Sequence, residues 1–119
     1  MPANRRIEVS ASDGIALVRF LDRKIVDTAT IEELGDELSA LVEKENQLML
    51  ILNFSNVEFL SSAALNKLII LDRKVKARSG KMKLCHLRKE INEVLVITRL
   101  NILLDVRPTE LDAIAAIKA

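Results

Sequence analysis

The amino-acid sequence predicts an α/β fold: a mixed, mostly parallel β-sheet, opened by an N-terminal β-hairpin and packed by about four helices. Three observations carry this expectation. Half of the 119 residues are apolar, yet there are only three Phe and no Tyr or Trp, so the core must be aliphatic. Such a composition is typical of parallel sheets covered by helices. Leu48-Met49-Leu50-Ile51-Leu52 is a short, continuously apolar run, as a central strand buried on both faces requires. Finally, strand-like and helix-like segments follow one another in the order β-β-α-β-α-β-α-β-α, which favours parallel pairing through helical crossovers. A chain of this length has room for one core, so residues 1–119 are expected to form one domain.

Taken in order, Ile7-Glu8-Val9 and Ile15 to Phe20 alternate in the strand manner around Ser12-Asp13-Gly14 and predict the hairpin. Between Thr30 and Glu45, Ile31, Leu34, Leu38, Leu41 and Val42 recur at helical spacing, with Asp27 or Thr28 as the cap. After the run at 48–52, a second helix is expected from Ser62 to about Arg78, ending in a left-handed turn at Ser79-Gly80. Lys81 to Cys85 reads as a strand and Ile91 to Thr98 as a helix. Ile102 to Val106 reads as a last strand before a helix that starts at Pro108-Thr109.

Several function classes are disfavoured. Eighteen basic and seventeen acidic residues give a net charge of +1, and aromatic stacking platforms are scarce, so nucleic acid is not an expected partner. The glycines at 14, 35 and 80 are dispersed and form no phosphate-cradling loop. Cys85 is the only cysteine and His86 the only histidine. Neighbours on a strand point to opposite faces, so the two do not make a nucleophile–base pair; Cys85 reads as core and His86 as surface. A single thiol rules out an internal disulfide and a multi-thiolate metal site. The carboxylates at 32, 33, 36, 37, 43 and 45 follow the polar face of one helix. No catalytic residue, metal ligand or cofactor is expected. The N-terminal residues Met1 to Arg6 lack the apolar region of a signal peptide. With no run near the roughly 20 apolar residues that span a bilayer, membrane insertion is not expected and a cytoplasmic location is.

The most informative stretch is Leu48 to Leu71, where an apolar strand and a polar turn lead into Phe59-Leu60-Ser61-Ser62-Ala63-Ala64-Leu65. A serine at a helix N-terminus is most often a cap, accepting a hydrogen bond from a first-turn amide. The same position also tolerates a phosphate, because free amides and the positive end of the helix dipole face it.

From Ile51 to Leu65 the chain resembles the STAS domain family, the fold of bacterial anti-sigma-factor antagonists and of the cytoplasmic tails of sulfate transporters. The shared pattern is an apolar strand, an Asp or Asn (Asn53), a short turn, an aromatic (Phe59), and a serine-rich helix start. Leu21 to Leu34 is similar to the family's second signature, with Asp27 as the acidic residue that lies near the phosphorylated serine. Aligned so, the phosphoacceptor falls on Ser62. Ser61 stands where Asp is common and is the alternative acceptor; Ala64 stands where Gly is common. The resemblance implies a non-enzymatic switch. The unmodified form would bind an anti-sigma factor that is also a serine kinase of the histidine-kinase-like ATPase type, releasing the sigma factor. Phosphorylation would end the interaction, and a serine phosphatase would reset it. The alternative is a STAS module that is not phosphorylated, such as a sensory-complex scaffold or a transporter accessory subunit.

Helical geometry then proposes a partner surface. Ala64, Leu65, Leu68, Leu71 and Val75 fall on one side and should face the sheet. Ser62, Asn66, Ile69 and Arg73 form an adjacent stripe, with Lys67 and Ile70 beside it and Ile69 as the candidate apolar anchor.

Overall fold

The computed structural model describes residues 6–119. The expectation for the basic N-terminus falls mainly on residues 1–5, outside the described residues. Strands β1 (Ile7–Ser12) and β2 (Ile15–Phe20) form the antiparallel hairpin. Its two-residue turn uses Asp13 and Gly14, both at positive φ (52° and 79°), the combination whose twist matches that of paired strands. A two-residue strand, β3 (Lys24–Ile25), leads into α1 (Thr28–Glu43). Then come β4 (Met49–Asn53), another two-residue strand β5 (Phe59–Leu60), and α2 (Ser62–Ala77). The chain ends with β6 (Lys81–Cys85), α3 (Lys89–Ile97), α4 (Leu100–Leu103), β7 (Val106–Arg107) and α5 (Glu110–Lys118).

The main sheet has the order β1-β2-β4-β6-β7, antiparallel only between β1 and β2; β3 and β5 pair in parallel as a separate small sheet. Alternation along the strands sorts the side chains into two layers. Ala16, Val18, Leu50, Leu52, Met82 and Leu84 meet α1, α2 and α3 in the larger core, whereas Ile15, Ile51 and Cys85 meet Ala113 and Ile117 of α5 on the other face. As expected from its run of apolar residues, β4 is buried on both sides. No helix among the described residues is long and apolar enough to cross a membrane.

Among the described residues there are five helices instead of about four. The segment read as a strand from Ile102 to Val106 is split between α4 and the two-residue β7. Arg99 takes a left-handed conformation (φ 63°) that ends α3 and starts α4, and Leu104 is then buried as the anchor of the turn. Ile102 and Leu103 are exposed, so the apolar run reflects no continuous burial. At the end of α2, the positive φ belongs to Ser79 (60°) and not to Gly80. Gly80 is needed for space: a Cβ there would lie 2.3 Å from the Leu48 carbonyl oxygen and 2.8 Å from Val75 Cγ1.

Because β2, β4, β6 and β7 run in parallel, the helices that follow them all begin at one end of the molecule. The N-termini of α1, α2, α3 and α5 therefore gather at the carboxyl end of the sheet, where α/β folds place their sites.

Candidate functional site

The loop from β4 to α2 is held down along its length. Asn53 is almost fully buried; its Oδ1 accepts the Ser55 N–H at 2.9 Å, while its Nδ2 donates to Glu110 Oε2 at 3.2 Å. Phe54 packs on Phe20 with ring centroids 4.5 Å apart, and Asn56 Nδ2 donates to the Phe20 carbonyl at 3.2 Å. The Glu58 and Phe59 amides both donate to the Arg23 carbonyl, at 2.8 and 3.1 Å. The Ser61 amide then donates to the Ile25 carbonyl at 3.1 Å. This pairing fixes the point at which α2 starts.

The two serines have different tasks. Ser61 is extended (φ −78°, ψ 164°) and its Oγ accepts the Ala64 N–H at 3.2 Å, so it is the N-cap. Ser62 is the first helical residue and is exposed. The need for a cap, which would by itself explain a serine here, is thus met by Ser61. The Ser62 hydroxyl is left facing solvent at the positive end of the α2 dipole.

Asp27 caps α1, with Oδ2 accepting the Thr30 N–H at 3.0 Å. That backbone hydrogen bond, with a smaller contribution from the Arg6 charge, lowers its pKa below the ordinary carboxylate value. Asp27 follows Ile25, the acceptor of the Ser61 amide, by two residues, so the β3–β5 pairing brings the α1 cap and the α2 start to one edge.

On α2, Ala64, Leu65, Leu68, Leu71 and Val75 are buried against the sheet, as the spacing requires. Ser62, Asn66, Ile70 and Arg73 are exposed, whereas Lys67 and Ile69 are half-buried. Lys67 leans toward α1: its stem runs over Gly35, where a Cβ would be 3.0 Å from Lys67 Cδ, and its Nζ meets Glu32 Oε2 at 3.1 Å. Lys74 is similarly committed to α1 through Glu43 (2.6 Å) and Ser39 (3.0 Å). The α2 surface open to a partner is therefore the side bearing Ser62, Asn66, Ile70 and Arg73, with the half-buried Ile69 partly accessible between them.

One buried charge was not signalled by the apolar pattern. Asp72, 1% exposed, lies on the buried side of α2 and is paired to Lys76 Nζ at 2.8 Å. The same ammonium donates to the Leu103 carbonyl at 3.3 Å, tying α2 to α4.

Cys85 is buried, which together with the nearby Glu110 charge pushes its thiol up to about 12, far from a reactive thiolate. His86, expected on the surface, is instead half-buried; its Nε2 accepts the Glu110 N–H at 3.2 Å and supports the start of α5 beside the Thr109 cap. Its positive φ (56°) turns the chain so that the imidazole reaches that amide. Among the described residues, no group of three or more His, Cys, Asp or Glu side chains is arranged to hold a metal ion.

Comparison with known proteins agrees with this architecture. The chain is 28% identical over 74 residues to BtrV of Bordetella bronchiseptica, a protein named for an anti-sigma factor antagonist role. That match spans 62% of this chain and 63% of the relative, so it covers less than two thirds of the relative's length. A solved anti-sigma factor antagonist from Mycobacterium paratuberculosis superposes with a TM-score of 0.83 at 25% identity, covering 95% of this chain and 93% of that one. The phosphorylated form of the Bacillus cell fate determinant SpoIIAA shares the fold, with a TM-score of 0.72 at 17% identity over 93% and 98% of the two chains. The STAS domain family model matches residues 6–113. From hairpin to final helix, then, the chain belongs to the STAS domain family, the family of these anti-sigma factor antagonists.

Proposed function

We propose that this chain is a phosphorylation-controlled anti-sigma factor antagonist that acts as one STAS domain over residues 1–119, in the cytoplasm and without catalysis or a cofactor of its own. The observation that carries the reading is the division of labour at α2, in which Ser61 caps the helix and leaves the Ser62 hydroxyl exposed. Unmodified, the surface around Ser62, Asn66, Ile69, Ile70 and Arg73 docks on an anti-sigma factor and frees its sigma factor. The anti-sigma factor is the serine kinase, of the histidine-kinase-like ATPase type, and supplies ATP and Mg²⁺. Ser62 Oγ attacks the γ-phosphorus, the bond to the β,γ-bridging oxygen breaks, ADP leaves, and the hydroxyl proton passes to a base on the kinase.

The phosphoserine adds about −1.5 to −2 charge. At a helix N-terminus a negative charge is favourable by about 0.3–1 kcal/mol, so the fold tolerates it. Trapped in a docked surface without a counter-charge, the same group costs on the order of 2–5 kcal/mol. The asymmetry makes the modification a release signal. A serine phosphatase resets the protein.

Isothermal titration of the cognate anti-sigma factor with wild type and with Ser62→Asp tests this reading. Wild type should bind, and Ser62→Asp should bind at least tenfold more weakly with an unchanged far-UV spectrum. Equal binding by both would refute control by charge at Ser62, and no binding by either would favour the unphosphorylated STAS module, a scaffold or transporter subunit, instead.

A further inference from the structure

The main sheet has two edges, and only one of them is guarded. Strand β7 has two residues and runs into Pro108. Strand β1 has six residues, with no Pro, no Lys and a register to β2 unbroken by any bulge, so it lacks the usual devices that keep an edge strand from pairing. The two-residue turn makes Ser12 and Ile15 a hydrogen-bonded pair. By the alternation of an antiparallel ladder Ser10 and Glu8 also bond to β2, and the bond from the Leu21 N–H to the Arg6 carbonyl, at 3.0 Å, continues the series. Ile7, Val9 and Ala11 therefore turn their N–H and C=O groups away from β2, and among the described residues no backbone group meets them. Val9, half-buried, sits at the rim of the larger core.

From this geometry we infer that β1 pairs antiparallel with β1 of a second copy of the chain, joining two five-stranded sheets into one across a two-fold axis at Val9. In that register Ile7 faces Ala11 of the second copy and Val9 faces Val9, so every outward donor meets an outward acceptor and the two valines close the rim of the core. Charge selects the register. Glu8, which lies opposite Arg19 within its own sheet, falls opposite Ser10 of the second copy, whereas an axis through Glu8 would set the two Glu8 side chains face to face, an unfavourable pairing. The charges that flank the edge are paired, Arg6 with Asp22 and Glu33, and Asp13 with Lys118. Antiparallel pairing sets the Arg6 end of one copy beside the Asp13 end of the other, so like ends do not meet. A second copy offers an edge of the same length and pattern, and two-fold pairing consumes both edges, so assembly stops at the dimer.

Sedimentation equilibrium of the full chain over a range of concentrations tests the inference, with a far-UV spectrum of each variant. Wild type should dimerise. Ala11→Pro removes an outward N–H and no β1–β2 bond, and proline is accepted on the solvent side of an edge strand, so it should raise the dimer dissociation constant tenfold or more with an unchanged spectrum. Ser10 is exposed: Ser10→Glu, set against Glu8 of the second copy, should weaken the dimer and Ser10→Lys should tighten it, both effects shrinking as salt is raised. In hydrogen exchange the Ile7 and Val9 amides should be protected in wild type and lose that protection in Ala11→Pro. A wild type that is monomeric at every concentration would overturn the inference, and if Ala11→Pro then also lost anti-sigma factor binding, the edge would belong to that partner. A dimer left intact by both Ala11→Pro and Ser10→Glu would overturn it too, and one weakened by Ala11→Pro alone would overturn the register at Val9. The proposed phosphoswitch is tested separately, because Ser62→Asp should dimerise as wild type does; loss of the dimer in Ser62→Asp would move the contact to α2 and overturn the pairing of β1.

Discussion

Replacing Ser61 or Ser62 by alanine should give opposite results, although the two residues are adjacent and chemically identical. Ser61→Ala removes the acceptor 3.2 Å from the Ala64 amide and leaves a half-buried first-turn donor without a partner. Loss of a serine N-cap costs about 1 kcal/mol. Ser62→Ala removes an exposed hydroxyl from a helical position; alanine is the better helix former, and surface changes of this kind stay within about 0.5 kcal/mol. With a urea m-value of about 1–3 kcal/mol/M, Ser61→Ala should lower the unfolding midpoint by about 0.3–1 M, and Ser62→Ala should leave it nearly unmoved. Ser61→Asp should restore the midpoint, since Asp caps as well as Ser and its charge suits the dipole. The assay is urea unfolding followed by circular dichroism with the m-value held constant. A larger loss for Ser62→Ala than for Ser61→Ala would refute the assignment of cap and acceptor.

Other outcomes follow from the same geometry. Ile69→Glu and Arg73→Glu should abolish anti-sigma factor binding in calorimetry with unchanged far-UV spectra; full binding by both would place the contact elsewhere. Cys85, with its thiol near 12, should resist iodoacetamide in the native protein at neutral pH and react once urea is added, whereas rapid native labelling would contradict its burial. The Asp27 carboxyl is lowered by its bond to the Thr30 amide. Its stabilising contribution is present above the ordinary carboxylate value and is lost as pH falls through the lower folded value. Asp27→Asn keeps a capping oxygen but no charge, so the acid limb of its stability profile, below about pH 4, should be flatter than that of wild type. Identical limbs would show that Asp27 titrates at its ordinary value when folded.

The elements legible in the sequence were those whose burial has a period. Alternation marked the hairpin, 3.6-residue spacing marked α1 and α2, and a continuous apolar run marked β4. Asp27, with Thr28 as the alternative, was readable as a cap because a polar oxygen precedes a helical pattern, and Pro108-Thr109 was readable as the start of the last helix, where Thr109 proves to be the cap. The strands β3 and β5 were not readable, since each has two residues and exists only through its partner some thirty-five positions away. Ile102-Leu103-Leu104 misled because an apolar run carries no information on which of its members are buried; Arg99 and its left-handed turn settled that. Asp72 was not readable as buried, because a charged side chain on a helix is expected at the surface and its ion pair with Lys76 is seen only in the structure. At the candidate site, the motif located the helix start. Only the backbone, held by the bond between the Ser61 amide and Ile25, distinguishes the capping serine from the exposed one.

The most direct measurement of the central claim is the mass of the protein, with the modified residue mapped by peptide fragmentation, after reaction with the cognate anti-sigma kinase, ATP and Mg²⁺. One phosphate on Ser62, absent from Ser62→Ala, together with loss of anti-sigma factor binding by the modified protein, is the predicted result. Phosphate confined to Ser61, or none on wild type under conditions where the kinase binds it, would contradict the account.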